Sequence, residues 1–123
     1  MGRALRHAAM MVIQDSLQQL LQKTIRVKDL ADLQAWQSAH DSCEDARRLA
    51  LKAVLNPHLT AEEQPQMIAH ADDLAQIRDY IRNNKLGPNP PAVFQADKRT
   101  ALDDLETFVI GIQNRLQAIV WEV

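Results

Sequence analysis

Two histidines, each with a possible ligand three positions later, form the best candidate for a metal site. His40 is followed by Cys43 at this spacing, and His70 is followed by Asp73, so each pair shares one face of a helix. Ligands of these types suit zinc and similar metals. If the two helices are joined by a turn near residues 57–60, Cys43 and Asp73 lie at the same height along the helix axes. At about 1.5 Å of rise per residue, the two histidines are then roughly 10 Å apart along the axes. We therefore expect no metal site.

Phosphoryl transfer is a second chemistry that a histidine can support. In the histidine phosphotransfer domains, which are also four-helix bundles, the reactive histidine is followed by Lys at +3 and Gly at +4. Here Asp73 stands at +3 after His70, and Glu44 stands at +4 after His40, and such carboxylates repel a phosphoryl group. The three glycines are scattered, so no glycine-rich phosphate loop exists. We predict no enzymatic activity and no cofactor, and keep a helical enzyme, or a phosphoryl or metal carrier using His40 or His70, as the alternative.

Chain length and composition indicate a single folded domain. The 123 residues are 46% apolar and 24% charged, which is typical of globular proteins and excludes a disordered chain. Only 4% are aromatic, three are glycine and β-branched runs are few, so helix is favoured over sheet. We therefore predict one all-α domain over residues 1–123.

Cysteine content and hydropathy bear on the compartment. Cys43 is the only cysteine, so the chain has no internal disulfide, and a lone thiol fits a reducing cytoplasm. The longest purely apolar run, Ala8–Ile13, is far shorter than the ~20 residues that span a bilayer. We expect a cytoplasmic protein that does not enter a membrane, with Cys43 buried as a small apolar side chain.

Charge is nearly balanced, at a net −2 from 14 basic and 16 acidic residues. Residues 2–26 hold four basic residues and one acidic residue, a net of +3, which leaves −5 for the remainder. Nucleic-acid binding requires clustered basic residues, whereas the pairs Arg47-Arg48 and Lys98-Arg99 stand isolated among acids. Nucleic-acid binding through the basic first helix is therefore kept only as a second alternative.

Four amphipathic helices are predicted from apolar residues that recur at three- and four-residue spacing. The connections are short, which favours antiparallel neighbours, so the fold class is an all-α, antiparallel four-helix bundle with up-down topology. Val93 and Phe94, after a proline-rich connector, are expected to cover one end of the bundle. The predicted helices run over Arg3–Thr24, over Asp29–Leu55, from Thr60 to the Gly87-Pro88 stop, and from between Asp97 and Thr100 to Trp121.

Local signals within these helices make more specific predictions. Thr60 and Glu63 have the spacing of a capping box at the start of helix three. Asp29 and Asp32 at the start of helix two complement the helix dipole, and so does Lys85 at the end of helix three. A mostly alanine seam along helix two predicts the close approach of a neighbouring helix. The seam comprises Trp36, Ala39, Cys43, Ala46, Ala50 and Ala53.

Helix four has a second, uncharged surface opposite its core face. The apolar residues around Leu105 occupy an arc of about 120° on a helical wheel with about 100° per residue. On the opposite side, around Ile110 and Trp121, no charged residue occurs. Gly111 in mid-helix costs about 1 kcal/mol relative to Ala, which is tolerable where another backbone must approach. The predicted partner-binding residues are Thr107, Ile110, Gly111, Asn114, Gln117, Ala118 and Trp121.

These observations predict a non-enzymatic interaction module. An uncharged surface that includes Trp and a close-approach glycine is typical of the centre of a protein interface. The module would act as a homo-oligomer, or as a small adaptor, chaperone or inhibitor that contacts another protein. A polar, uncharged face on helix one is a second, weaker candidate for the contact. It comprises Gln14, Gln18, Gln19 and Gln22.

Overall fold

The computed structural model describes residues 3–86, 94 and 96–122, with side chains described for 7–86, 94 and 96–119. Within those residues it contains four α-helices and no β-strand. The prediction of an all-α, four-helix fold is thereby confirmed, whereas the predicted stop at Gly87-Pro88 lies outside the described residues. Helix α1 covers Arg3–Asp32, α2 covers Trp36–Val54, α3 covers Glu63–Asn84 and α4 covers Ala96–Glu122.

The helices pack around a shared axis. Helix α2 lies between α1 and α3, and α4 packs mainly on α1 and less extensively on α3. Contacts between α1 and α4 run in opposite directions along the two helices. Lys28 of α1 meets Asp103 near the start of α4, and Gln18 meets Gln113 further along. Contacts whose residue numbers fall along one helix as they rise along the other are those of antiparallel helices. They agree with the predicted up-down topology.

The core gathers one apolar stripe from every helix. The mostly alanine seam of α2 is buried over its whole length, as predicted, and small side chains there let α1 and α3 approach. Burial of a leucine-sized side chain contributes about 1.5–3 kcal/mol, so this core is the main source of stability. None of the described helices is long and apolar enough to span a membrane. The fully buried apolar side chains include Ile13, Leu17, Leu20, Met67, Leu74, Ile77, Ile81, Leu102, Leu105, Ile112 and Leu116.

The boundary between α1 and α2 differs from the prediction. Helix α1 does not end at Thr24 but continues to Asp32. The reason is that Val27 and Ala31 are buried and extend the apolar stripe of α1. Asp29 and Asp32 therefore lie at the carboxyl end of α1 instead of opening α2, and their charges do not complement the helix dipole there.

A Schellman motif ends α1 without a glycine. The backbone N–H of Ala35 donates to the carbonyl of Leu30 with an N···O distance of 2.8 Å. The N–H of Gln34 donates to the carbonyl of Ala31 at 3.0 Å. Gln34 has φ of 58°, in the left-handed region that glycine usually occupies, at a cost of roughly 1–2 kcal/mol. Neither Gly nor Pro occurs in this turn, and the apolar stripe of α1 gives no sign of where the helix ends. The turn was therefore not predicted.

Side-chain hydrogen bonds hold the connector between α2 and α3. The predicted capping box is present, since Thr60 Oγ1 accepts from the Glu63 N–H at 3.1 Å and Glu63 Oε1 accepts from the Thr60 N–H at 2.9 Å. Arg115 of α4 donates to both carboxylate oxygens of Glu63, at 3.0 and 2.6 Å, and to the carbonyl of His58 at 2.8 Å. Burial raises the pKa of Glu63, but the hydrogen bonds from Arg115 and Thr60 outweigh it and hold the pKa below its ordinary 4.5. The cap of α3 thus also anchors α4.

Candidate interaction surface

The strip of α4 that the sequence predicts as partner-binding faces away from the core. Leu105 and Val109 are buried on the inner side, whereas Ile110 has 40% of its surface exposed. From residue 107 to residue 118, every exposed residue of α4 is uncharged. The side chain of Trp121 lies outside the described residues. The exposed members of the strip are Thr107, Ile110, Gly111, Asn114, Gln117 and Ala118.

Gly111 has no packing role within the described part of the chain. A Cβ atom built at this residue meets no heavy atom within 4 Å, so no contact there requires glycine. Glycine in the interior of a helix nevertheless costs about 1 kcal/mol relative to alanine. No contact within the described residues therefore explains Gly111.

The structure joins this strip to the glutamine face of α1. The side-chain amide of Gln113 donates to that of Gln18 at 3.1 Å, across the boundary between α4 and α1. Gln22 and Ile25 follow Gln18 at helical spacing, and both are exposed. We refer to the combined surface as the amide face. It comprises Gln18, Gln22, Ile25, Thr107, Ile110, Gly111, Asn114, Gln117 and Ala118. Ile110 and Gln117 lie on the α1 side of α4, whereas Gly111 and Ala118 lie on the side toward α3.

The other two predicted glutamines of α1 do not belong to this surface. Gln14 is half-buried. Gln19 donates to Asp15 at 2.7 Å, on the side of α1 that turns away from α4. Only part of the predicted glutamine face therefore extends the strip of α4.

Ion pairs between α1 and α4 close one end of the amide face. Lys28 Nζ lies 2.8 Å from Asp103 Oδ1 and also contacts Glu106. Hydrogen bonds to these two carboxylates raise the pKa of Lys28 above its ordinary 10.5. Arg99 forms a further pair with Asp32. Ion pairs at a protein surface contribute about 0–1 kcal/mol each, so the main effect of these pairs is to divide charged from uncharged surface.

Comparison with known proteins adds no candidate function for this surface. No family model, no curated protein and no solved structure matches this chain. A four-helix arrangement serves many unrelated activities and does not by itself assign one. The function is therefore argued from the residues of this chain alone.

The two histidines considered for catalysis or metal binding lie at different helix interfaces. His40 faces α3, where its Nε2 accepts from Arg82 at 3.1 Å because arginine can only donate. Its Nδ1 then donates to Asp41 at 3.0 Å. His70 faces α4, and its ring centroid lies 4.9 Å from that of Phe108. The two rings are therefore not arranged to act on one ion or one substrate.

The expected alignment of Cys43 with Asp73 is wrong. Glu44 of α2 pairs with Arg78 of α3, so the neighbouring Cys43 is level with Arg78 and not with Asp73. Residues 55–62 form a series of turns and not a tight symmetric hairpin, which shifts the register. Among the residues that the structure describes, no group of three or more His, Cys, Asp or Glu side chains is placed to hold a metal ion.

Glu44 is also the centre of a charged cluster at the boundary of α2 and α3. It pairs with Arg78 across the boundary and with Arg47 and Arg48 on its own helix. The hydrogen bond from Arg78 holds the pKa of Glu44 below its ordinary 4.5. Arg78 also donates to Asp79 at 3.0 Å. The charged groups of this cluster pair with one another, so we interpret the cluster as a structural link between α2 and α3.

The environment of His70 makes its stability contribution depend on pH. Its Nδ1 is buried and has no hydrogen-bond partner within the described residues. Burial lowers the pKa of His70 below its ordinary 6.5, although Asp73 on α3 and Asp104 on α4 act in the opposite direction. As the pH is lowered, the imidazole of His70 therefore becomes protonated in the unfolded chain before it does in the folded chain. We expect the free energy of unfolding to fall as pH drops through about 6.5 toward the lowered value.

Chemical denaturation at several pH values, with two variants, checks this expectation. His70→Phe retains a ring beside Phe108 and should lose this component of the pH dependence. His7→Gln, on an exposed part of α1, should keep it. If wild type and His70→Phe change equally with pH, His70 titrates alike in the folded and unfolded chain, contrary to its burial.

An aromatic cluster around Lys85 was not predicted. The sequence placed Lys85 among the charges that end helix three, but only 2% of its surface is exposed. Its Nζ lies 4.9 Å from the ring centroid of Trp36 and 5.7 Å from that of Tyr80. Phe94 covers this end of the bundle, as expected, with its ring centroid 5.9 and 6.0 Å from those of Trp36 and Tyr80. Val93, which was expected to do the same, lies outside the described residues. The sequence did contain a signal from which this cluster could have been predicted. The three aromatic residues lie near helix ends, and an up-down bundle brings those ends together.

Proposed function

We propose that this chain is a non-enzymatic helical interaction module that binds another protein, or a further copy of itself, through the amide face. The observation that carries the proposal is an exposed glycine among uncharged side chains. Gly111 weakens α4 by about 1 kcal/mol, and no contact within the described residues requires it. A neighbouring backbone that approaches α4 supplies a reason both for this glycine and for the absence of Lys and Glu around it.

The amide face combines apolar anchors with groups that form hydrogen bonds. Ile110 and Ile25 have 40% and 37% of their surface exposed. Side-chain amides donate and accept, so a partner satisfies them without contributing charges. Since a few anchors dominate most interfaces, we assign Ile110 and the predicted Trp121 as the anchors on α4.

The alternative functions have less support. His40 is held by Asp41 and Arg82, and His70 packs on Phe108, so neither ring resembles a reactive group in a cleft. On α1, Lys23 pairs with a carboxylate of α2, which reduces the positive charge that this helix offers to nucleic acid. A cytoplasmic location is part of the proposal and follows from the single cysteine.

Gly111→Arg tests the amide face. Because a Cβ at this position meets no atom within 4 Å, the folded monomer should accept arginine. Helix propensity should leave its stability unchanged or raise it by up to about 1 kcal/mol. In an interface the same charge would be buried without a partner, and we expect assembly to weaken roughly 100-fold. Sedimentation velocity measures self-association, and capture from native lysate measures binding to other proteins.

The matched control is Gln76→Arg, which adds the same charge to an exposed position on α3. This control should change neither the sedimentation coefficient nor the set of captured proteins. If Gly111→Arg also leaves both as they are in the wild type, the amide face is ordinary solvent-exposed surface and the proposal is wrong.

A further inference from the structure

The outer face of α1 carries a stripe of side chains that is symmetric about Gln18. Its members are four, three, four, four, three and four positions apart, so at about 100° per residue they share an arc of about 80°. Six of them are exposed and Gln14 is half-buried, so the stripe faces away from the core. In both directions from Gln18, the stripe presents an amide, then an apolar side chain, then a group that ionises. Its members are His7, Met11, Gln14, Gln18, Gln22, Ile25 and Asp29.

We propose that α1 packs along α1 of a second copy of this chain, in antiparallel order, through this stripe. A two-fold contact uses the same surface on both chains, so each pair of facing residues occurs twice. Positions at equal distances before and after Gln18 then face each other. The inference goes beyond the proposed function, which leaves the partner open, and it involves only the α1 part of the amide face. The facing pairs are Met11 with Ile25, Gln14 with Gln22, and His7 with Asp29.

Each facing pair is chemically complementary. Met11 and Ile25 have 59% and 37% of their surface exposed, and the contact removes both apolar side chains from water. Side-chain amides both donate and accept, so glutamine can face glutamine with its groups paired. An imidazole N–H donates to a carboxylate, and within the described residues neither His7 nor Asp29 has a side-chain partner. The contact therefore pairs groups that a single copy leaves to solvent.

The shape of α1 suits a second helix. Spacings of three and four residues keep one stripe facing a partner helix over its whole length, as in coiled coils. At about 1.5 Å per residue, the stripe extends about 33 Å from His7 to Asp29. An open depression lies over the second half of α1, and its lining includes Gln22, Ile25 and Asp29. In antiparallel order, the first half of the stripe of the other copy inserts its side chains there.

The ends of the stripe set the order of the two helices. In antiparallel order, Asp29 of each copy lies beside His7 of the other. Parallel order would instead place the two Asp29 carboxylates together, and like charges in an interface repel. Asp29 also lies in the last turn of α1, where its charge opposes the helix dipole, and a hydrogen bond from the other copy offsets part of that opposition.

Charged substitutions at one facing pair test both the partner and the order. Met11→Lys or Ile25→Glu alone buries a charge against an apolar side chain, and each should weaken the dimer roughly 100-fold. In a chain that carries both substitutions, antiparallel order brings the introduced lysine of each copy to the introduced glutamate of the other. The double variant should therefore regain at least about tenfold in affinity. The two positions are about 21 Å apart along one helix, so the new charges cannot pair within one copy.

Sedimentation equilibrium over a range of concentrations measures the dimer, and far-UV circular dichroism verifies that each variant is folded. Val12→Lys is the control, because Val12 is 51% exposed on α1 but lies beside the stripe, and this variant should dimerise like the wild type. A wild type that is monomeric at every concentration would overturn the pairing, and so would single variants that dimerise like the wild type. A folded double variant that regains no affinity would overturn the antiparallel order.

Gly111→Arg tests the proposed function separately, because Gly111 lies on the α3 side of α4 and outside the α1 contact. This variant should keep the dimer and lose a captured protein. Loss of the dimer in Gly111→Arg would place the contact on α4 and overturn the α1 pairing. Retention of every captured protein would count against the proposed function of the α4 strip and leave the α1 pairing in place.

Discussion

Ala46→Leu should lower the free energy of unfolding by about 1–3 kcal/mol. Ala46 is fully buried in the middle of the α2 seam, where α1 and α3 both pack against α2. The larger side chain has to push a neighbouring helix away or force core side chains out of their preferred rotamers. Both responses cost free energy because protein interiors are close-packed.

Chemical denaturation followed by far-UV circular dichroism measures this loss. Ser38→Leu places the same side chain at an exposed position on the same helix and should change the free energy of unfolding by less than about 0.5 kcal/mol. Equal midpoints for Ala46→Leu and the wild type would mean that the alanine seam faces water and that no helix packs closely against it.

Lys85→Ala is expected to cost more, about 2–4 kcal/mol. The alkyl stem of Lys85 is buried, and its ammonium group lies over the rings of Trp36 and Tyr80. Alanine removes the stem and the charge together and leaves a cavity between α2, α3 and Phe94. A desolvated cation–π contact contributes about 2 kcal/mol, and the lost packing adds to it.

Lys85→Met separates the two contributions. Methionine keeps the unbranched length of the side chain but has no charge, so its loss relative to wild type reports the ammonium group. The further loss from Lys85→Met to Lys85→Ala reports packing. Lys52→Ala, at an exposed position on α2, is the control. A Lys85→Ala variant no less stable than this control would contradict the buried position of Lys85.

The helices were predictable because each buries one face, and that requirement repeats along the sequence every three or four residues. The capping box was predictable for a similar reason, since Thr60 and Glu63 satisfy each other within one turn. The end of α1 was not. Gln34 adopts a left-handed conformation that is not expected for glutamine. The buried side chains of Val27 and Ala31 extend α1 past the predicted end.

The uncharged strip of α4 followed from a helical wheel, and the structure shows its described members exposed around Ile110. Its extension onto α1 did not follow, because a wheel says nothing about which helix lies alongside. The cluster at Lys85 was missed for the same reason. Its aromatic neighbours come from the start of α2, the end of α3 and the connector before α4, which are far apart in the chain.

By itself, the sequence determined the helical class, the alanine seam of α2 and the uncharged strip of α4, because each depends on residue spacing within one helix. The tertiary structure decided which helices are neighbours and which residues are level with one another. It placed Gln18 beside Gln113, so that two separate strips became one surface. It also placed His40 and His70 at different interfaces and enclosed Lys85 among aromatic rings. These outcomes depend on the register between helices, which is set by packing over the whole core and by the connectors, and no local pattern encodes it.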